Sequence, residues 1–144
     1  MEGVIDLKKV RYSYPGSMGR DALQGIDLSI KEGEYLIVCG ASGSGKSTFA
    51  YLLNGLIPHF FGGRLEGSVE VKGVRTKEVR VSDLFPRVGI ILQNADAQLF
   101  NTTVEDEISF GLESLGLSKR DMEKRMEEVV EAFNLGDLLK RSPV

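Results

Sequence analysis

The sequence is poor in the residues that mark several common protein classes. It contains one cysteine, Cys39, and one histidine, His59, in 144 residues. A single cysteine excludes an internal disulfide and favours a reducing compartment. A lone histidine between Pro58 and Phe60 indicates a loop residue at the surface rather than a catalyst.

Long apolar runs are also missing. No stretch stays apolar for the ~18 residues that a membrane-crossing helix needs, and the first residues lack the basic and apolar regions of a signal peptide. We therefore expect any membrane role to come through a partner. The formal net charge of −3 argues against a general nucleic-acid binder, which needs a basic surface.

Hydrophobic patterning predicts a mixed α/β region over residues 1–100. Short apolar or alternating runs predict strands at residues 4–14, 26–30, 35–39, 68–72 and 88–92. The run at 35–39 is apolar throughout, which is typical of a strand buried on both faces of a parallel sheet. Cys39 would then be a small buried side chain, and residues 68–72 an edge strand. Apolar residues at helical spacing predict a helix over residues 47–56.

The pattern becomes helical from residue 101 to residue 144. Thr102 with Glu105 fits a capping box at the start of one helix. Ser118 can cap a second helix, whose apolar residues share one face. The sequence therefore predicts a second, helical region over residues 101–144.

One segment matches a motif with a defined chemistry. Gly40-Ala41-Ser42-Gly43-Ser44-Gly45-Lys46-Ser47 fits the phosphate-binding loop pattern of glycine, any four residues, glycine, lysine, and serine or threonine. Glycines let the backbone turn tightly and present successive N–H groups to a polyphosphate. The helix that follows adds unpaired N–H groups and the positive end of its dipole. The alternative is a glycine-rich turn with an exposed lysine.

Two side chains of this loop carry the charge and metal chemistry. Lys46 can reach the β- and γ-phosphates of a nucleotide as a point charge. The Ser47 hydroxyl can ligate Mg²⁺, which prefers oxygen ligands in octahedral geometry. The cofactors predicted are therefore ATP and Mg²⁺.

The residues around the loop resemble the ATPase subunits of ABC transporters. The segments that carry the resemblance are Tyr12-Ser13-Tyr14-Pro15, residues 22–30, Gly33-Glu34, residues 53–58, Gly67-Ser68-Val69, and residues 88–94, which are similar to the family's Q-loop strand. Residues 93–100, 103–107 and 110–112 are similar to the energy-coupling-factor group, which imports vitamins and cobalt or nickel. The chain departs from the pattern of this group at two positions. The group usually has proline at the position of Ala95 and an acidic or polar residue at that of Ala97.

The resemblance implies an α/β fold with a P-loop NTPase core of the ABC ATPase type. It adds an antiparallel β part and the beginning of an α-helical subdomain. The family's LSGGQ signature, its Asp-Glu strand motif and its switch histidine are not found in the 144 residues. We therefore expect an N-terminal part of such a domain, inactive as an ATP hydrolase by itself.

The resemblance also assigns roles to single residues. Tyr14 would stack on the adenine ring, and Gln93 would contact Mg²⁺ and the attacking water and signal to the membrane subunit. Read without the family, Tyr14 is a strand aromatic and Gln93 a polar strand end. Lys46 and Gln93 are the predicted catalytic residues, and Ser47 and Gln93 the predicted metal ligands. The predicted cofactor-binding set is Tyr14, Gly40, Ser42, Gly43, Ser44, Gly45, Lys46, Ser47 and Thr48.

The function implied is ATP-driven uptake of a micronutrient, either a vitamin or a cobalt or nickel ion. The expected partners are a transmembrane permease subunit and a second ATPase subunit, identical or related, with no nucleic acid. The expected location is the cytoplasmic face of the cell membrane. Two alternatives remain, a soluble ABC ATPase without a transport role and a module that only binds nucleotide. The first usually carries large or basic insertions between the loop and Gln93, which residues 57–86 lack.

Overall fold

The computed structural model describes residues 3–144. The chain forms two compact units, Met1–Ile90 and Ile91–Val144. The boundary expected at residue 100 therefore falls inside the second unit. Within residues 3–144, no helix combines the length and the apolar content that crossing a bilayer requires.

The first unit is built on a four-stranded antiparallel sheet with the strand order β2-β1-β3-β4. Its helices follow β2 and β4 along the chain. The elements are β1 Ile5–Ser13, β2 Leu23–Ile30, α1 Lys46–Leu53, α2 Leu56–His59, β3 Arg64–Val71, β4 Val74–Arg75 and α3 Val81–Leu84. The edge position expected for residues 68–72 is wrong, because β3 lies between β1 and the short β4.

An irregularity in β1 decides which of its side chains face the core. Leu7, Val10 and Tyr12 are all buried, although regular alternation would put Leu7 on the opposite face from the other two. Between Lys8 and Arg11, β1 contains one residue more than the paired segment of β3, as in a β-bulge. This extra residue brings Leu7 to the same face as Val10 and Tyr12. At the bulge, Lys9 has a φ of +51°.

The core of this unit lies between the sheet and the helices α1 and α2. The sheet contributes buried side chains from β1, β2 and β3, and the helices contribute Leu52 and Ile57, both fully buried. Thr48 and Leu52 are the buried residues of α1 and lie four residues apart, on the same helix face.

Two strands predicted from apolar runs do not form. Residues 35–39 and 88–92 have no strand structure, and several of their side chains are exposed, including Tyr35 at 90% and Ile91 at 84%. Cys39, expected to be buried, is exposed. An apolar run becomes a strand only where a neighbouring strand completes its hydrogen-bond ladder. The four-stranded sheet includes neither segment.

The second unit is helical, as its sequence pattern predicts. Its elements are a 3₁₀ turn at Asp96–Gln98, α4 Val104–Ser114, α5 Lys119–Ala132 and a 3₁₀ turn at Gly136–Leu138. Ser118 caps α5 as expected, by accepting a hydrogen bond from the Asp121 N–H. The cap of α4 is Thr103 rather than Thr102, because the Thr103 hydroxyl accepts from the Asp106 N–H at 3.1 Å. Both threonines have an acidic residue three positions later, so the sequence pattern alone does not separate them.

Glu107 organises the turn that precedes α4. One of its carboxylate oxygens accepts hydrogen bonds from the Asn101 N–H at 2.9 Å, the Asn101 side chain at 2.9 Å and the Phe100 N–H at 3.2 Å. These donors, the Asn101 N–H foremost, lower the pKa of Glu107 from its ordinary value. The ionised carboxylate therefore stabilises the turn.

We predict that Gly67→Ala destabilises the first unit by about 2–4 kcal/mol. Gly67 has a φ of +78°, and a Cβ there would lie 2.4 Å from the Lys8 carbonyl oxygen and 2.5 Å from that of Lys9. Gly73 is the matched control, because its φ is +75° and nothing lies within 4 Å of a Cβ. Gly73→Ala should cost only the backbone strain, about 1–2 kcal/mol. Urea unfolding measures both variants, and equal losses would contradict the close approach at Gly67.

We predict that Glu107→Gln loosens the 100–107 turn at neutral pH and has little effect in acid. The pKa of Glu107 is lowered by folding, so its contribution is present above the pKa of the unfolded chain and is lost as the pH falls through the lower folded value. Amide hydrogen exchange of Phe100 and Asn101, measured as a function of pH, follows this turn. Glu113→Gln, at an exposed position of α4, is the control. Equal exchange in all three proteins at neutral pH would show that Glu107 does not hold the turn.

Candidate nucleotide-binding site

The glycine-rich loop at residues 40–47 runs directly into α1. Gly43 and Gly45 have φ values of +78° and +94°, which side chains with a Cβ rarely adopt. Gly45 is the N-cap of α1, no side chain caps the helix, and its first turn contains no acidic residue. The unpaired N–H groups and the positive dipole end of α1 are thus left uncompensated by side chains, as anion binding at a helix N-terminus requires.

The Lys46 side chain folds back over this loop. Its ammonium donates hydrogen bonds to the carbonyl oxygens of Gly40 and Ala41, both at 2.8 Å, and to the Ser44 hydroxyl at 3.4 Å. Since these acceptors belong to the loop itself, the positive charge is held within the loop. Lys46 is placed where a phosphate bound by the loop would meet its charge.

The loop is held against the start of β2 by a close backbone approach. A Cβ on Gly45 would lie 2.7 Å from the carbonyl oxygen of Ala22 and 2.9 Å from a methyl group of Leu23. Only glycine fits without movement of the β2 backbone. The end of the phosphate loop at Gly45 therefore lies directly against the start of β2.

Tyr14, the predicted adenine platform, lies beside α1. Its hydroxyl shares a 3.0 Å hydrogen bond with the hydroxyl of Thr48, which is only 6% exposed. Thr48 is the second residue after Lys46, so the bond connects the segment after β1 to the first turn of the helix that follows the loop. The structure thus brings Tyr14 together with Thr48, which directly follows Ser47 in α1.

Gln93 belongs to the second unit, where it is exposed and lies in a bend before the 3₁₀ turn Asp96–Gln98. It does not end a strand, because residues 88–92 form none. Its predicted contact with Mg²⁺ and water stays a prediction.

The donor set of the first unit fits a magnesium nucleotide. Backbone N–H groups at the α1 N-terminus and the Lys46 ammonium suit phosphate oxygens. The Ser47 hydroxyl, exposed in the first turn of α1, offers the oxygen ligand that Mg²⁺ prefers. The predicted roles of Ser42, Ser44 and Ser47 towards a nucleotide remain predictions.

The structure adds residues that the sequence reasoning missed. Ala22 supports the loop through its carbonyl group, and Phe61 and Tyr51 contact the region of Tyr14 through their rings. One sequence signal could have pointed to Phe61, namely two adjacent aromatic residues followed by Gly62 and Gly63. Such a run places bulky rings in a segment where the backbone turns.

Comparison with known proteins covers most of the chain. The profile of the ABC transporter family matches residues 23–144. A protein of Pyrococcus abyssi, provisionally named an ABC transporter ATP-binding protein, is 42% identical over 140 residues. The match covers 97% of this chain and 50% of the relative, so the chain spans about half the length of that relative.

Two solved structures share the fold. CbiO1 of Clostridium perfringens, described as part of the ABC transporter complex CbiONQ, superposes with a TM-score of 0.81 at 26% identity, over 99% of this chain and 55% of that one. A dimeric ATP-binding cassette bound to ADP and Pi superposes with a TM-score of 0.72 at 25% identity, over 96% of this chain and 61% of the other. The predicted α/β fold of the P-loop NTPase type is confirmed. With a lysine-bearing glycine loop at a helix N-terminus and a family profile that matches residues 23–144, the chain belongs to the ABC transporter ATP-binding family.

Proposed function

We propose that the loop at residues 40–47 binds Mg-ATP. The observation that carries this proposal is the Lys46 ammonium, which the carbonyl oxygens of Gly40 and Ala41 hold inside the loop. The α1 N-terminus supplies N–H donors around the same point. Inside a positively charged loop, a polyphosphate gains charge-assisted hydrogen bonds that are about twice as strong as neutral ones.

The chemistry proposed for the whole protein is ATP hydrolysis. In phosphoryl transfer, the protein contributes mainly positioning and charge stabilisation. Lys46 would neutralise charge on the β- and γ-phosphates, and Ser47 would hold the metal. Gln93 is proposed to orient the attacking water and to contact the metal. Mg²⁺ supplies charge neutralisation when it is bound.

We further propose that hydrolysis drives import of a vitamin or of a cobalt or nickel ion. The similarity of residues 93–112 to the energy-coupling-factor group supports this proposal. So does the likeness to CbiO1, which is described as part of an ABC transporter complex. The partners would be a membrane permease and a second ATPase subunit, the latter supported by the likeness to a dimeric cassette. The protein would then act at the cytoplasmic face of the membrane.

The second unit offers a candidate surface for the permease at Leu99 and Phe100. Phe100 is 64% exposed, and its ring lies edge-on to Phe110 of α4 with centroids 4.7 Å apart. Phe110 is itself 47% exposed, so the two rings form an aromatic pair at the surface. Exposed aromatic residues are enriched among the residues that dominate protein interfaces.

We predict that Lys46→Ala weakens Mg-ATP binding about ten- to hundredfold, because a charge-assisted contact of roughly 1.5–3 kcal/mol is lost. Isothermal titration calorimetry on the complete gene product measures the change. Lys77→Ala, which removes an exposed lysine after β4, should leave the affinity unchanged. Equal affinities of the wild type and Lys46→Ala would refute the role of the loop.

We predict that Phe100→Ala uncouples transport and leaves ATP binding intact. Truncating an interface aromatic should cost more than about 1 kcal/mol of docking energy, which moves the protein out of the membrane fraction of its own cells. Fractionation measures this shift, and calorimetry measures ATP affinity. Phe133→Ala removes a ring that is 72% exposed at the end of α5 and serves as the control. Unchanged membrane association of Phe100→Ala would show that the permease docks elsewhere.

A further inference from the structure

A series of aromatic contacts links the end of β1 to α1. The rings of Tyr12 and Tyr14 lie edge-on with centroids 4.8 Å apart, and Tyr14 lies edge-on to Phe61 at 6.3 Å. Phe61 in turn stacks on Tyr51 of α1, at 5.1 Å and an interplanar angle of 23°. Phe61 therefore contacts both the candidate adenine platform and the helix that follows the phosphate loop.

The backbone on either side of Phe61 is fixed against β1. The Tyr12 hydroxyl donates a 2.9 Å hydrogen bond to the Gly62 carbonyl oxygen. A Cβ on Gly63 would lie 2.4 Å from the Ser13 carbonyl oxygen. Phe61 is half-buried against the core, whereas its neighbour Phe60 is 77% exposed. Phe60 touches the Phe61 ring edge-on at 5.3 Å, but only Phe61 is packed against the core.

Tyr14 needs more than its hydroxyl to have a defined orientation. The Cβ–Cγ bond and the hydrogen bond from the hydroxyl to Thr48 fix the two ends of the long axis of the ring, but the ring can still rotate about that axis. The edge-on contact with Phe61, together with that of Tyr12, restricts this rotation. Edge-on aromatic pairs have a preferred geometry because the positive edge of one ring meets the negative face of the other.

We propose that Phe61 is a positioning residue for the nucleotide base, which acts by holding the Tyr14 ring in its stacking orientation. This inference rests on the proposed binding of ATP at residues 40–47. A platform that is already oriented loses less conformational freedom when a base stacks on it, so more of the stacking energy appears as affinity. Phe61 has no polar atom for the phosphates, so its effect should be confined to ligands that carry a base.

The test compares two ligands, Mg-ATP and magnesium triphosphate, which is the same polyphosphate without nucleoside. In the complete gene product, Phe61→Ala should weaken Mg-ATP binding about three- to tenfold, the size expected for one aromatic pair. Its affinity for magnesium triphosphate should stay within about twofold of the wild type, since the phosphate loop is unaltered. Calorimetry measures both. A purely structural effect of the substitution would weaken both ligands alike.

Two variants sharpen the comparison. Phe61→Tyr keeps a ring at this position and should retain the wild-type selectivity for ATP over triphosphate. Phe85→Ala makes the same deletion at an exposed position of the first unit, outside this series of ring contacts, and should also retain it. A double-mutant cycle of Tyr14→Ala with Phe61→Ala should be non-additive for ATP, because the second substitution removes support for a ring that is already gone.

The possible results fall into four groups, which separate this inference from the function on which it rests. A selective loss of ATP affinity in Phe61→Ala, with a non-additive cycle, supports the positioning role. Equal losses for both ligands, unchanged ATP affinity or an additive cycle overturns the positioning role. None of these three results contradicts the proposal that the wild-type loop at residues 40–47 binds ATP. Equal wild-type affinity for both ligands, with no contribution from the base, overturns the roles of Tyr14 and Phe61 together. A wild type that binds neither ligand overturns the proposed function as well.

Discussion

The first unit depends on the burial of the Tyr12 hydroxyl group. Tyr12 is fully buried, and desolvation, with a smaller effect of Tyr14, raises the pKa of its phenol. A buried hydroxyl without a partner would cost about 1–3 kcal/mol, and Tyr12 finds its acceptor in the Gly62 carbonyl group. Because the acceptor belongs to the backbone, satisfying this hydroxyl also positions the segment between α2 and β3. That segment carries Phe61, whose backbone N–H also donates to the Leu56 carbonyl oxygen at 3.1 Å.

Hydrophobic patterning correctly predicted the strands that find their hydrogen-bond partners within the antiparallel sheet. Residues 4–14 and 26–30 alternate, and they form β1 and β2, whose ladders lie within the antiparallel sheet. Residues 35–39 are as apolar as any strand, yet they form none. Apolar content measures how favourable burial would be, whereas a strand also needs a neighbouring backbone to complete its hydrogen bonds. The hydrophobic pattern of a sequence reports how favourable burial would be, but not whether a neighbouring backbone is present.

The bulge in β1 illustrates a second limit of sequence patterning. Strict alternation would turn either Leu7 or Val10 away from the core, and the conformation at Lys9 brings both inside. The bulge in turn needs Gly67 on the opposite strand, where the Lys8 and Lys9 carbonyl oxygens leave no space for a side chain. These residues are close only after β1 has paired with β3. A local window of sequence therefore cannot reveal why Gly67 is a glycine.

The candidate site likewise has one part that is local in the sequence and one part that depends on tertiary packing. Residues 40–47 could be proposed from the sequence because the features that suit a phosphate are local: consecutive N–H groups, two glycines with positive φ and one lysine lie within eight positions. The proposed role of Tyr14 in binding a base would depend on groups distant in sequence, Thr48 and Phe61, which tertiary packing brings together. The proposed phosphate contacts would act through charge, and the aromatic contacts through the orientation of the Tyr14 ring. Since the two sets share no side chain, substitutions can alter the preference for a base while the affinity for phosphate is kept.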